Sequence, residues 1–96
     1  MAAPVVQGER VALLGEFLLS GVAVDPSVVR VFVRPPTGTL VELTFPSAEL
    51  TRADLGLYRA LLTVDVPGTW GVRFEGSGVI DAVNELLFNV APSRVL

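Results

Sequence analysis

Residues 54–76 read DLGLYRALLTVDVPGTWGVRFEG, and the reading of this stretch decides the fold class. Between Leu57 and Val64, every second residue is apolar on one side: Tyr58, Ala60, Leu62 and Val64. Between Thr69 and Glu75, Trp70, Val72 and Phe74 repeat the pattern. Side chains along an extended chain point alternately to opposite faces, so each run reads as a strand with one buried face. Asp65-Val66-Pro67-Gly68 joins them. Proline presets φ and glycine accepts positive φ, so the join reads as the turn of a single hairpin.

The same alternation extends outward from this stretch. It places Val11, Leu13, Gly15, Phe17 and Leu19 on the inner side of a strand over Glu9–Leu19. Val29, Val31 and Val33 are inward in Val28–Arg34, and Val41, Leu43 and Phe45 in Thr39–Phe45. Leu86, Phe88 and Val90 are inward in Glu85–Val90, and Val5-Val6 is a short opening strand. Nine glycines and seven prolines punctuate these runs. Pro35-Pro36-Thr37-Gly38 reads as a tight connection, and Gly76-Ser77-Gly78 opens a looser one. Pro46–Gly56 reads as an irregular crossing with one helical turn at Ser47–Leu50. Short strands at this spacing, without a 3.6-residue period, predict an all-β fold: a seven-stranded immunoglobulin-like β-sandwich. Residues 1–96 form one domain, with short arms at about 1–4 and 91–96.

Composition narrows the function. Hydrophobic residues make up 51% of the chain and charged residues 18%. Soluble domains average about 25% charged, so this surface is either unusually apolar or partly covered. The net charge of −3 offers no electrostatic case for nucleic acid or an anionic membrane. All seven basic residues are arginine, the cation whose weakly hydrated fork suits interfaces, although a high-GC coding bias accounts for the same count. MAAPVVQGER lacks the basic and apolar regions of a signal peptide, and no apolar run reaches the ~20 residues of a membrane span.

No histidine, cysteine or lysine is present to activate a serine or threonine nucleophile. Imidazole and thiolate metal sites are likewise excluded. The ten acidic residues are dispersed. Glu9, Asp25, Asp54 and Asp65 fall at turns or strand starts, where carboxylates satisfy backbone donors. The reading is therefore a non-enzyme with no catalytic residue, no cofactor, no metal and no small-molecule substrate. Tyr58, in the D-x-G-x-Y string from Asp54, matches a tyrosine corner whose hydroxyl bonds back to nearby backbone. Trp70 is expected as the central core aromatic.

The outward residues carry the functional expectation. If Glu9–Leu19 pairs with Leu57–Val64, then Leu14, Leu18, Leu57 and Leu61 form one apolar patch around Arg59. Such a patch exposes on the order of 400 Å², near the ceiling for an isolated monomer. Leu14, Leu18, Leu57, Leu61 and Arg59 are thus the candidate partner interface. The alternative is that the crossing Pro46–Gly56 or a terminus folds over them. Edge pairing through Thr39–Phe45 or Val5-Val6 is a further route to a neighbour.

Three segments carry a family resemblance: GERVALLGEF, VDPSVVRVFVRPPTGTLVELTFPSAELTRADLGLYRALLTVDVPGTWGVRFEGSG and NELLFNVAPS. With their V-D-P, P-x-G-T, G-x-Y, P-G-T-W-x-x-R and F-x-V motifs, they resemble small virion structural proteins of tailed phages and prophages, encoded among head and tail genes. The resemblance spans about residues 8 to 93. It implies a capsid decoration or neck/tail accessory role, with other virion subunits or copies of itself as partners. It implies residence in the virion after assembly in the host cytoplasm, and it transfers no catalytic residue. The rival reading is a stand-alone bacterial immunoglobulin-like module that binds a glycan or peptide through its loops.

Overall fold

The computed structural model describes residues 5–78 and 82–93. They are all-β, with no helix among them. In chain order the strands are β1 (Val5–Val6), β2 (Arg10–Glu16), β3 (Leu18–Leu19), β4 (Val22–Ala23) and β5 (Val28–Arg34). There follow β6 (Val41–Thr44), β7 (Leu50–Asp54), β8 (Leu57–Thr63), β9 (Gly68–Ser77) and β10 (Ala82–Ala91). One sheet has the order β1-β10-β9-β5-β6, a second β2-β8-β7, and β3 and β4 form a small third. All pairings are antiparallel except β1 with β10.

The two larger sheets enclose one apolar cluster. Val29, Val31 and Val33 enter it from β5, and Trp70, Val72 and Phe74 from β9. Tyr58, Ala60 and Leu62 enter from β8, with Leu50 from β7. Full burial of each large aliphatic or aromatic side chain contributes about 1.5–3 kcal/mol, and this period-two set is the main driving force for the fold. The indole Nε1 of Trp70 donates to the carbonyl of Val66 at 2.9 Å, so the ring is buried without an orphaned polar atom. Leu43 and Phe88, expected in the core, are half-buried at its margin.

Several expectations need correction. The stretch from Leu57 to Glu75 is not a hairpin. β8 pairs with β2 and β7, whereas β9 pairs with β10 and β5. Residues 64–67 therefore carry the chain from one sheet to the other. Val64 is still bonded to Glu9, and Gly68 is already opposite Val90. The strand expected over Glu9–Leu19 breaks at Phe17. That residue is fully buried, and its backbone bonds Gly56 and Val24. Beyond it, β3 and β4 make a two-residue hairpin through Ser20 and Gly21, both at positive φ as a type I′ turn requires. Leu19 consequently lies outside, not in the core.

The crossing Pro46–Gly56 contains no helical turn at Ser47–Leu50. Its second half is the strand β7, joined to β8 with a register shift between Arg52 and Asp54. Val41, expected inward, is exposed at the edge strand β6. At the C-terminal end Ala91 still belongs to β10, and its carbonyl accepts from the Gln7 amide at 2.8 Å. The backbone N–H of Ser93 donates to Gln7 Oε1, so residues 91–93 are docked and not an arm. The expected arm at residues 1–4 and the end of the other, 94–96, lie outside the described residues.

Candidate functional site

The first surface is the outer face of β2-β8-β7. The β2–β8 register sets Ala12 opposite Leu61, Leu14 opposite Arg59 and Glu16 opposite Leu57. These residues alternate with the core set, so they share the outer face. Leu14 lies diagonally between Leu57 and Leu61, within reach of both, with Arg59 directly across. Leu14 is 57% exposed, while Leu57 and Leu61 are half-buried. The Arg59 guanidinium has no hydrogen-bond or ion-pair partner among the described residues. β7 lies alongside β8 in the same sheet, so the crossing does not cover this face by stacking on it.

Leu18 stands apart from the other four candidate residues. The break at Phe17 takes it out of the β2–β8 ladder and onto the β3–β4 hairpin, where it pairs with Ala23 and remains 46% exposed. The structure thus brings Leu14, Leu57, Arg59 and Leu61 together on one sheet and places Leu18 on the neighbouring hairpin.

The second surface was not anticipated as a site. On the outer face of the five-stranded sheet, Gly71 sits between Arg34 on β5 and Leu87 on β10. With no side chain at that point, the face is notched. Phe32, Leu40 and Leu87 rise around the notch, and the groove has a volume of about 790 Å³. Leu87 is 76% exposed and Leu40 50%. At one end Arg73 donates to Glu75 on its own strand at 2.6 Å and to Glu85 across on β10 at 3.1 Å, one arginine bridging two carboxylates. The sequence signal was present: Gly71 is the small residue on the outer side of an otherwise bulky strand.

The most connected polar group is Asp25. Its Oδ1 accepts from the Gly56 amide at 2.7 Å and from the Tyr58 hydroxyl at 3.3 Å. Its two oxygens accept from Arg52 Nε at 3.2 and 3.1 Å. The backbone N–H of Gly56, then the Arg52 guanidinium, hold the Asp25 carboxyl below its ordinary value of 3.8. Burial, then the nearby Asp25 charge, raises the Tyr58 phenol above its ordinary value of 10.0. The Tyr58 hydroxyl therefore finds a carboxylate across the turn, not the nearby backbone expected of a tyrosine corner. This arrangement is structural: one carboxylate locks the turn before β5 onto the β7–β8 turn. Among the described residues no three acidic side chains gather to hold a metal ion, and no helix is long and apolar enough to cross a membrane. No protein-family model, curated protein or solved structure matches this chain.

Proposed function

We propose that this chain is a non-enzymatic structural protein of a tailed-phage virion, built as an immunoglobulin-like β-sandwich. In this reading it is a capsid decoration or neck/tail accessory subunit, held in place by the outer face of β2-β8-β7. The strand order supports the fold assignment. β10-β9-β5-β6 follows the order of the larger sheet of a variable-type immunoglobulin domain, and β2-β8-β7 follows that of its opposing sheet.

The observation that carries the function is the exposed Leu14 between Leu57 and Leu61, with an unpaired arginine beside them. A contiguous apolar sheet face with a forked cation is suited to a protein partner and supplies no group for chemistry. The test is Leu14→Glu with Leu61→Glu. Both positions point away from the core, so the double variant keeps its strand spectrum and unfolding midpoint close to wild type while losing association. If it still associates like wild type, the face is not the contact. Mass spectrometry of particles released by the encoding strain tests the virion assignment. The chain is expected among the capsid and tail proteins, and its absence from particles sinks that part of the reading.

The groove over Gly71 favours a second reading, a binding module for a glycan or peptide, with the sheet face in place of the loops as its site. There Leu87→Asp abolishes ligand binding and leaves association through Leu14 and Leu61 intact.

A further inference from the structure

Four strands form the free edges of the two larger sheets: β1, β6, β2 and β7. Three of them are poor templates for pairing. β1 has two residues and β6 has four. β7 is interrupted by its register shift, and both backbone polar groups of Leu50 are taken up by Ser47. β2 differs: seven residues, RVALLGE, with β8 on one side and no strand on the other among the described residues. Natural sheets usually protect such an edge with a charge, a bulge or a proline along its length. Here the charges stand only at the two ends, Arg10 and Glu16.

The hydrogen-bond phase of β2 is set by its flanks. Glu9 accepts from the Val64 amide, and the Phe17 amide donates to Gly56. In an antiparallel ladder alternate residues bond inward, so Val11, Leu13 and Gly15 are committed to β8. Arg10, Ala12, Leu14 and Glu16 therefore aim their N–H and C=O groups away from β8, at the free edge. The carbonyl of Glu16 accepts from Asn84 Nδ2 at 2.8 Å, which leaves it one lone pair.

We infer that β2 pairs antiparallel with β2 of a second copy across a two-fold axis at Leu13. The occupant follows from the strand's own charge pattern. With Leu13 opposite its twin, Arg10 faces Glu16 and Ala12 faces Leu14 of the other copy, at both ends. Every residue with outward-facing backbone groups then meets another, as the hydrogen-bonded pairs of an antiparallel ladder require. Each exposed Leu14 meets a small Ala12, and each Arg10 meets an opposite charge. Shifting the pairing by two residues keeps the phase but breaks both charge pairs, so complementarity selects this register. The Arg10 and Glu16 side chains are exposed and have no hydrogen-bond or ion-pair partner within the described residues, so the pairing takes nothing from the fold. The result is a continuous six-stranded sheet, β7-β8-β2-β2-β8-β7. This contact uses the edge of the sheet; Leu14 borders both it and the face assigned above, and Leu61 on β8 belongs to the face alone, so Leu61→Glu separates the two.

The experiment is sedimentation equilibrium of the full chain from about 10 μM to about 1 mM, a range that brackets weak dimers. Wild type is expected to approach twice its 10.2 kDa mass. Ala12→Pro removes one outward N–H per copy and leaves the β8 ladder intact, because proline is tolerated where the amide faces solvent. It is expected to weaken the dimer about tenfold or more. Arg10→Glu and Glu16→Arg each bring like charges together, so each alone remains monomeric. Mixed in equal amounts they form a heterodimer, because the first variant is acidic at both ends of β2 and the second is basic at both. That recovery is independent of any folding defect in Ala12→Pro. A monomeric wild type overturns the inference, as does a dimer indifferent to these variants. A dimer lost in Leu61→Glu but unchanged in Ala12→Pro overturns it in favour of the sheet face.

Discussion

Asp25 accepts hydrogen bonds from the Gly56 backbone, the Arg52 guanidinium and the Tyr58 hydroxyl, and each of these favours its charged form. Its folded pKa lies below the ordinary 3.8, which the unfolded chain retains. The folded state thus binds its proton less readily. The stability gained is complete above the ordinary value and is lost as pH falls through the folded value. The urea midpoint of wild type should therefore fall as the pH is taken down through and below 3.8. Asp25→Asn should be less stable than wild type at neutral pH and show a shallower acid decline. An unchanged acid slope in Asp25→Asn would assign that decline to other carboxylates. Tyr58 works in the opposite direction, its contribution being present below 10.0 and lost as pH rises through its folded value. Gly15 shows a second kind of dependence on a single residue. A Cβ at this position on β2 would run into the ring of Phe74, which is 1% exposed on the facing sheet. Gly15→Ala should cost about 1–3 kcal/mol, read from chemical denaturation. A neutral result would mean that the two sheets separate there more easily than their packing indicates.

At the scale of elements, the strands β5, β8 and β9 were legible because their alternation is uninterrupted. Val29 to Val33, Tyr58 to Leu62 and Trp70 to Phe74 are each buried at every second position. Trp70→Ala accordingly should cost about 3–5 kcal/mol, measured by denaturant unfolding. It would remove the ring that stacks on Phe88 at 6.4 Å and the bond to Val66. A wild-type midpoint would contradict the burial of the indole. β7 was illegible because LTRAD has a single buried apolar residue, Leu50, and owes its strand character to the ladder on β8. The break at Phe17 was hidden in the run Phe17-Leu18-Leu19, where three apolar residues in a row give no phase. Which strands pair was equally hidden. A Pro-Gly turn looks the same whether it closes a hairpin or crosses between sheets, and here the choice is made by β2 and β10 claiming β8 and β9. The candidate face was legible once β2 and β8 paired, but the loss of Leu18 from it depends on the same Phe17 break. The groove over Gly71 needs the cross-strand register of three strands, which no single run contains.

For the whole molecule, a net charge of −3 is small, and the exposed leucines sit on different surfaces. Leu14 lies beside the β2 edge, and Leu87 is on the opposite sheet. The proposed β2 pairing therefore depends on where charge is placed, more than on how much there is. Salt separates the contributions. At about 1 M ionic strength the Debye length falls to ~3 Å, so repulsion between exposed like charges largely disappears. Burial of leucine and strand-to-strand hydrogen bonds are not screened in this way. Arg10→Glu and Glu16→Arg should thus regain the dimer in high salt without being mixed, since only screened repulsion holds their copies apart. Ala12→Pro should remain dissociated, because salt does not restore a missing donor. Leu61→Glu should not recover association through the sheet face, because a buried carboxylate still loses its hydration. Light scattering across a salt series reads all four variants. If the two charge variants stay monomeric at high salt, their defect is not electrostatic, and the Arg10–Glu16 pairing loses its support.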